Sequence, residues 1–96
     1  MKIRSNSLTF TVNRNVASSI HDNGIVLLHI ANGQMFASNP TGARIWRGVE
    51  ERQSMEMIVS DISNDYQIDW STACGHVERF LVELEQQKLI QQEIPS

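Results

Sequence analysis

The sequence is poor in the residues that cross-link a protein or carry it through a membrane. It contains one cysteine, Cys74, so an internal disulfide cannot form, and we expect a reducing, cytoplasmic setting. No apolar run approaches the roughly 20 residues of a membrane span. The polar Ser5-Asn6-Ser7 stands where a secretory signal would have an apolar core. We therefore expect a soluble protein that does not bind a membrane.

Positive charge is also scarce. The chain has 8 Lys and Arg against 11 Asp and Glu, for a net charge of −3. Domains that bind nucleic acid usually carry a basic face that neutralises phosphates. The composition therefore predicts that nucleic acid is not the ligand.

The sequence lacks the spacings that hold metals, phosphates or catalytic groups. His21, His29 and His76 fall on a predicted turn, strand and helix, without the short ligand spacing of zinc sites. Gly42 and Gly48 lie within a helical pattern and not in a phosphate loop between strand and helix. We expect no metal, no cofactor and no catalytic site, since a chain this small rarely also encloses a catalytic pocket.

What the chain does contain is a globular balance and clear strand patterns. Its 96 residues suit one domain over 1–96, with a core at about 16–90. Strands are predicted over Leu8–Val12, Val16–Ile20, Gly24–Ile30 and Gln34–Ser38. The nearly continuous apolar run of the third strand predicts burial on both faces at the centre of the sheet. The fourth strand is then an edge.

Turn and cap residues divide the rest of the sequence. Asn32-Gly33 predicts a type I′ hairpin turn, with positive φ at both residues. Asn39 as N-cap before a proline predicts a helix over Pro40–Val49. Further helices are expected from Ser54 to Asn64-Asp65, and from Trp70 to Lys88 with Asp69 as the cap. Tyr66–Ile68 is expected to be an extended link and Gln91–Ser96 a polar tail.

Apolar residues recur at helical spacing along the three helices. These positions predict the side chains that pack in the core: Ile45, Trp46, Val49, Met55, Ile58, Val59, Ile62, Ala73, Val77, Phe80, Leu81 and Leu84. A hairpin followed by three helices is the arrangement of a small α+β, winged-helix-turn-helix-like domain.

Several short motifs appear in a recognisable order. They are Leu27-Leu28, Gly33, Asn39-Pro40-Thr41-Gly42-Ala43, Ile45-Trp46, Asp69, and a helix with Val77, Phe80-Leu81 and Leu84 that is followed by Leu89-Ile90. In this order the sequence resembles the PqqD family over about 16–90. Two positions differ, because the family commonly has leucine where this chain has Ser38 and glycine where it has Lys88.

The resemblance implies a three-stranded antiparallel sheet at the N-terminal side followed by three α-helices, in a non-catalytic adaptor that binds the leader segment of a ribosomally made precursor peptide. The leader is expected to add as a strand beside the Gln34–Ser38 edge, in the cleft next to the third helix. Only one of Met35 and Phe36 can face that cleft. His76 is expected either to make a polar contact with the leader or to be a solvated helix side chain. The implied peptide-binding residues are Gln34, Met35, Phe36, Ala37, Ser38, Ala73, His76, Val77 and Phe80.

The implied partners are the precursor leader and a separate enzyme, either a radical-SAM protein or a leader peptidase. The open edge could also pair with a second copy of the chain to form a homodimer. A winged-helix DNA-binding regulator is the alternative function, because two short helices before a longer one also describe that class. Its third helix would need basic residues toward the DNA, where this sequence has Arg79 and Lys88 among Glu78, Glu83 and Glu85.

Overall fold

The computed structural model describes residues 9–93, which form two small sheets and three helices. In chain order the elements are β1 (Thr9–Val12), β2 (Val16–His21), β3 (Gly24–His29), β4 (Gln34–Ser38), α1 (Pro40–Glu50), α2 (Met55–Tyr66), α3 (Trp70–Gln86) and β5 (Ile90–Glu93). The predicted α+β class and the order of sheet and helices are confirmed.

Strands β2, β3 and β4 form an antiparallel sheet with β3 in the centre. One face of β3 is in the core, since Ile25 and Leu27 are buried. Val26 and Leu28 point to the opposite face and are less deeply buried. The prediction of a central strand is therefore confirmed, but the prediction of burial on both faces is wrong, because the helices pack on one side of the sheet.

The turn between β3 and β4 differs from the predicted type. Four residues, Ile30–Gly33, connect the paired His29 and Gln34. Gly33 has φ +73°, whereas Asn32 is not among the residues with positive φ. The Asn32 side chain instead accepts a hydrogen bond from the Gln34 N–H at 2.9 Å. The hairpin is confirmed, and the type I′ turn is wrong, because the Asn32 amide closes a longer loop.

The three predicted N-caps are present. Asn39, Ser54 and Asp69 are extended, and their side chains accept hydrogen bonds from the N–H groups of Gly42, Met57 and Thr72. At Asp69, hydrogen bonds from the Thr72 hydroxyl and backbone N–H lower the pKa of the carboxyl group. The helix starts were predictable because each cap directly precedes an apolar repeat.

Helix ends were predicted less well. Each helix is followed by a residue with left-handed backbone, at Arg52 (φ 59°), Gln67 (φ 53°) and Lys88 (φ 62°). Helix α2 continues to Tyr66, so the expected extended link over Tyr66–Ile68 is wrong. Helix α3 ends at Gln86, before the expected Lys88. These ends carry no glycine, the usual sequence sign of a left-handed helix end.

A second, two-stranded sheet joins the two ends of the described chain. Strand β1 pairs antiparallel with β5, in the register Thr9↔Glu93 to Val12↔Ile90. The Arg52 guanidinium holds the Glu93 carboxylate with hydrogen bonds of 2.7 and 2.6 Å. The predicted first strand is confirmed over its described part, whereas the predicted tail is wrong over 91–93. Leu8 and residues 94–96 lie outside the described residues.

The core lies between β3, the helices and the β1–β5 pair. Every residue predicted to lie in the core is buried there except Phe80, which is half-buried at the edge of the core. Phe10, Leu89 and Ile90 complete the core from the β1–β5 side. Phe80 differs because it lies at the boundary between the core and an open groove.

Replacing Lys88 with glycine is expected to stabilise the protein by about 1 kcal/mol. The Leu89 N–H bonds the Leu84 carbonyl at 2.9 Å and the Lys88 N–H bonds the Glu85 carbonyl at 2.9 Å, which is a Schellman end with Lys88 in the position that favours glycine. Urea unfolding measures the change. A loss of stability in Lys88→Gly would contradict this account of the helix end.

Candidate functional site

The outer edge of β4 offers backbone groups without a partner strand among residues 9–93. Strand β2 meets β3 through a two-residue loop closed by the pair His21↔Gly24. The two residues that close such a loop are hydrogen-bonded to each other. Successive residues of the central strand β3 then direct their backbone hydrogen bonds alternately to β2 and to β4. It follows that Gln34, Phe36 and Ser38 bond β3. The N–H and C=O groups of Met35 and Ala37 point outward along the free edge.

The side chains of β4 alternate between two surfaces. Phe36 lies opposite the buried Leu27 and therefore faces the helices, whereas Met35 lies opposite Leu28 on the outer face. The Phe36 and Phe80 rings are 6.0 Å apart between centroids, at an interplanar angle of 54°. Met35 remains 67% exposed. The structure thus answers which of the two faces the cleft: it is Phe36.

Helix α3 runs antiparallel to β4 along this edge. The Gln34 side chain hydrogen-bonds that of Gln87 at one end, and the Phe36–Phe80 pair lies further along. A groove of about 460 Å³ begins beside this pair and continues past the end of β4 to the end of α2. It is lined by Ser38, Asn39, Thr41, Gly42, Ile45, Ile62, Tyr66, Ile68, His76, Arg79, Phe80 and Glu83.

The first turn of α1 closes one wall of the groove. A Cβ on Gly42 would lie 2.2 Å from the Ser38 Oγ and 3.0 Å from a ring carbon of Phe80. The absence of a side chain at Gly42 therefore lets α1 approach both β4 and α3. Asn39 fixes the same turn by accepting the Gly42 N–H at 2.9 Å. The Asn-Pro-Thr-Gly motif thus shapes the end of the groove.

The nine residues predicted for the site divide into three groups. Ser38, His76 and Phe80 line the groove, and Gln34 and Phe36 lie beside it through their contacts with α3. Met35 and Ala37 provide the free edge, with their side chains on the outer face. Ala73 and Val77 are completely buried in the core.

Sequence reasoning missed the residues that form the far wall of the groove. Ile45 and Ile62 are buried lining residues, and the half-buried Ile68 packs beside them. Tyr66, Arg79 and Glu83 also line it, with Tyr66 and Arg79 exposed at its rim. Helical periodicity assigned Ile45 and Ile62 to the core. It could not show that the start of α1, the end of α2 and the middle of α3 leave a gap above them.

Charged side chains of α1 and α2 near the groove form ion pairs with each other. Arg44 Nε donates to Asp65 at 2.7 Å, and its Nη2 lies 3.8 Å from Asp61. The hydrogen bond to Asp65 raises the pKa of Arg44. The Arg44–Asp65 ion pair holds the end of α2, where Tyr66 meets the groove, against α1.

Residues 9–93 contain neither a candidate metal site nor a helix that could span a membrane. No group of three or more His, Cys, Asp or Glu in this range could hold a metal ion. None of its helices has both the length and the apolar character needed to cross a membrane.

Comparison with known proteins identifies the family. The sequence model described as coenzyme PQQ synthesis protein D (PqqD) matches residues 24–90, more than half of the chain. The chain belongs to the PqqD family. The matched segment runs from β3 to the start of β5, and so contains the free edge of β4 and every residue that lines the groove.

Two solved structures are similar to the PqqD-family chain over nearly its whole length. The structure of TbiB1 in complex with the TbiA(beta) leader peptide is 30% identical, with a TM-score of 0.80, and covers 88% of this chain and 99% of TbiB1. Lasso peptide synthetase B1 complexed with the leader peptide is 19% identical, with a TM-score of 0.75, and covers 90% of this chain and 98% of its own. This second likeness shows the shared fold. No curated protein matches the sequence.

Proposed function

We propose that this PqqD-family protein binds the leader segment of a ribosomally made precursor peptide as an added strand on β4. The observation that carries the proposal is the position of the groove, which has apolar side chains in its wall and begins at Ser38, at the end of the free β4 edge. The outward backbone groups of Met35 and Ala37 would bond the leader without regard to its sequence. The groove would then select particular side chains. The structure of TbiB1, which is 30% identical to this chain, is that of a complex with the TbiA(beta) leader peptide.

The groove fits an apolar anchor side chain. The half-buried Ile68 and Phe80 supply apolar surface in it, above the buried Ile45 and Ile62, and the exposed Tyr66 lies at its mouth. A bound strand presents alternate residues to one face. One leader side chain would therefore enter the groove, while its two neighbours point to the outer face of the sheet, beside Met35 and Ala37.

The proposed role requires no chemistry from this chain. A bound leader holds the rest of the precursor close to a second protein, and such tethering can raise the local concentration to about the millimolar range. The partner would be a radical-SAM enzyme or a leader peptidase. We place the adaptor in the cytoplasm, where ribosomal precursors are made.

A titration followed by amide chemical shifts tests the proposal. The labelled protein is titrated with the synthetic leader of a short precursor gene encoded nearby and with the TbiA(beta) leader. A scrambled leader and a DNA duplex serve as controls. We expect saturable shifts at Met35, Ala37 and the groove residues of α3 with a leader, and none with the controls. Shifts with the duplex alone would contradict the proposal in favour of the winged-helix regulator.

A further inference from the structure

The charged residues of the groove are distributed unevenly along its length. Because β4 and α3 run antiparallel, the Gln34–Gln87 contact marks one end and Ser38 lies toward the other. His76 and Arg79 lie on the side of the groove nearer Ser38. Glu83 lies one turn further along α3, toward Gln87. Among the lining residues, the one arginine, Arg79, therefore lies nearer Ser38, and the one carboxylate, Glu83, lies nearer Gln87.

Arg79 has no ion-pair partner in the described part of the chain. Salt bridges within residues 9–93 engage Arg44, Arg47 and Arg52, and none involves Arg79. Glu83 is four residues away on the same helix but is not within 4.0 Å of it. Arginine before glutamate is also the weaker order for such a helical pair. The exposed guanidinium of Arg79 is thus available at the rim of the groove.

We propose that Arg79 pairs with a carboxylate of the bound peptide and so makes the groove selective for an acidic strand. This inference rests on the proposed peptide-binding function and names the class of peptide that the site takes. The favoured segment carries an apolar anchor and, two residues away, an Asp or Glu. These two side chains lie on one face of a strand, about 7 Å apart. The carboxylate accepts hydrogen bonds from the guanidinium, which can be bidentate.

Two neighbouring features define where the acidic residue lies. The N-terminus of α1 opens on the groove near Ser38, and its partial positive charge adds to that of Arg79. Glu83 repels a carboxylate placed on the opposite side of the anchor. Attraction at one end and repulsion at the other select one direction and one register of the bound strand.

Selection from a displayed library of random peptides, each about twelve residues long, tests this inference without knowledge of the native leader. The wild type is compared with Arg79→Glu and with Arg14→Glu, a charge-matched control in the β1–β2 turn that does not line the groove. Wild type and Arg14→Glu are expected to enrich peptides with Asp or Glu two residues from an apolar anchor. Arg79→Glu is expected to lose this enrichment and to favour Lys or Arg at the same position.

Affinity of one selected acidic peptide is then measured for each protein. Arg79→Glu should bind it about five- to tenfold more weakly than the wild type, as expected for one charge pair at a partly exposed rim. The neutral variant Arg79→Gln should fall between the two. Added salt should weaken wild-type binding more than binding to Arg79→Gln.

The outcomes separate this inference from the proposed function. If the enriched peptides bind at the β4 edge but are not enriched in Asp or Glu, the proposed role of Arg79 is overturned and the proposed peptide binding is not. An acidic preference retained in Arg79→Glu would do the same. If no peptide is enriched by any of the proteins, both the inference and the proposed peptide binding are overturned.

Discussion

Replacing Ala37 with proline is expected to reduce leader affinity by at least about tenfold while the fold is retained. The Ala37 N–H points outward from β4, so its loss removes a donor to the added strand without breaking a bond to β3. The leader carbonyl that faced this donor also loses its partner, which adds to the cost. The preceding Phe36 is already in a strand, a conformation that suits the residue before proline.

Ala37→Val is the matched control for this experiment. Valine keeps the N–H, suits a strand and places its side chain on the outer face. Both variants are titrated with the leader, and urea unfolding confirms that both are folded. Strand addition at β4 would be contradicted if folded Ala37→Pro bound the leader within about twofold of the Ala37→Val value.

Replacing Gly24 with alanine is expected to destabilise the protein by more than about 3 kcal/mol. Gly24 has φ +142°, a conformation that side chains rarely adopt. A Cβ there would lie 2.0 Å from the Ser38 carbonyl oxygen and 2.9 Å from Asn39 backbone atoms. Because these are backbone atoms at the junction of β4 and α1, they cannot turn aside as a side chain could.

Two other glycines give a graded comparison. Gly33 has φ +73°, and a Cβ there would meet no heavy atom of residues 9–93 within 4 Å, so alanine should cost only about 1–2 kcal/mol. At Gly75, exposed inside α3 with similar open space, alanine should stabilise by up to about 1 kcal/mol. Urea unfolding of the three variants measures the order. If Gly24→Ala loses no more stability than Gly33→Ala, the close contact between residue 24 and the Ser38 carbonyl oxygen is contradicted.

Most elements of the fold were predictable because their signals are local. Side chains of Asn39, Ser54 and Asp69 cap the helices that directly follow them, and apolar spacing identified the buried face of each helix. The central place of β3 followed from its apolar composition. The β4 edge followed from its place after the hairpin.

The missed features depend on contacts between distant parts of the chain. Strand β5 is polar, and it forms because β1 and Arg52 pair with it across the fold. The left-handed residues Arg52, Gln67 and Lys88 replace glycine at the helix ends, so composition could not mark where those helices stop. The four-residue loop before β4 forms because the Asn32 side chain bonds the Gln34 backbone.

The sequence alone determined the class of fold, the family and the strand edge on which a peptide could add. Tertiary structure alone decided that Phe36 faces the helices and Met35 the solvent, and that Ala73 and Val77 are completely buried in the core. It also placed Ile62, Tyr66 and Arg79 around one groove. Local propensity and periodicity specify which face of an element is apolar. The gap that remains where three helices and a strand meet depends on how those faces pack.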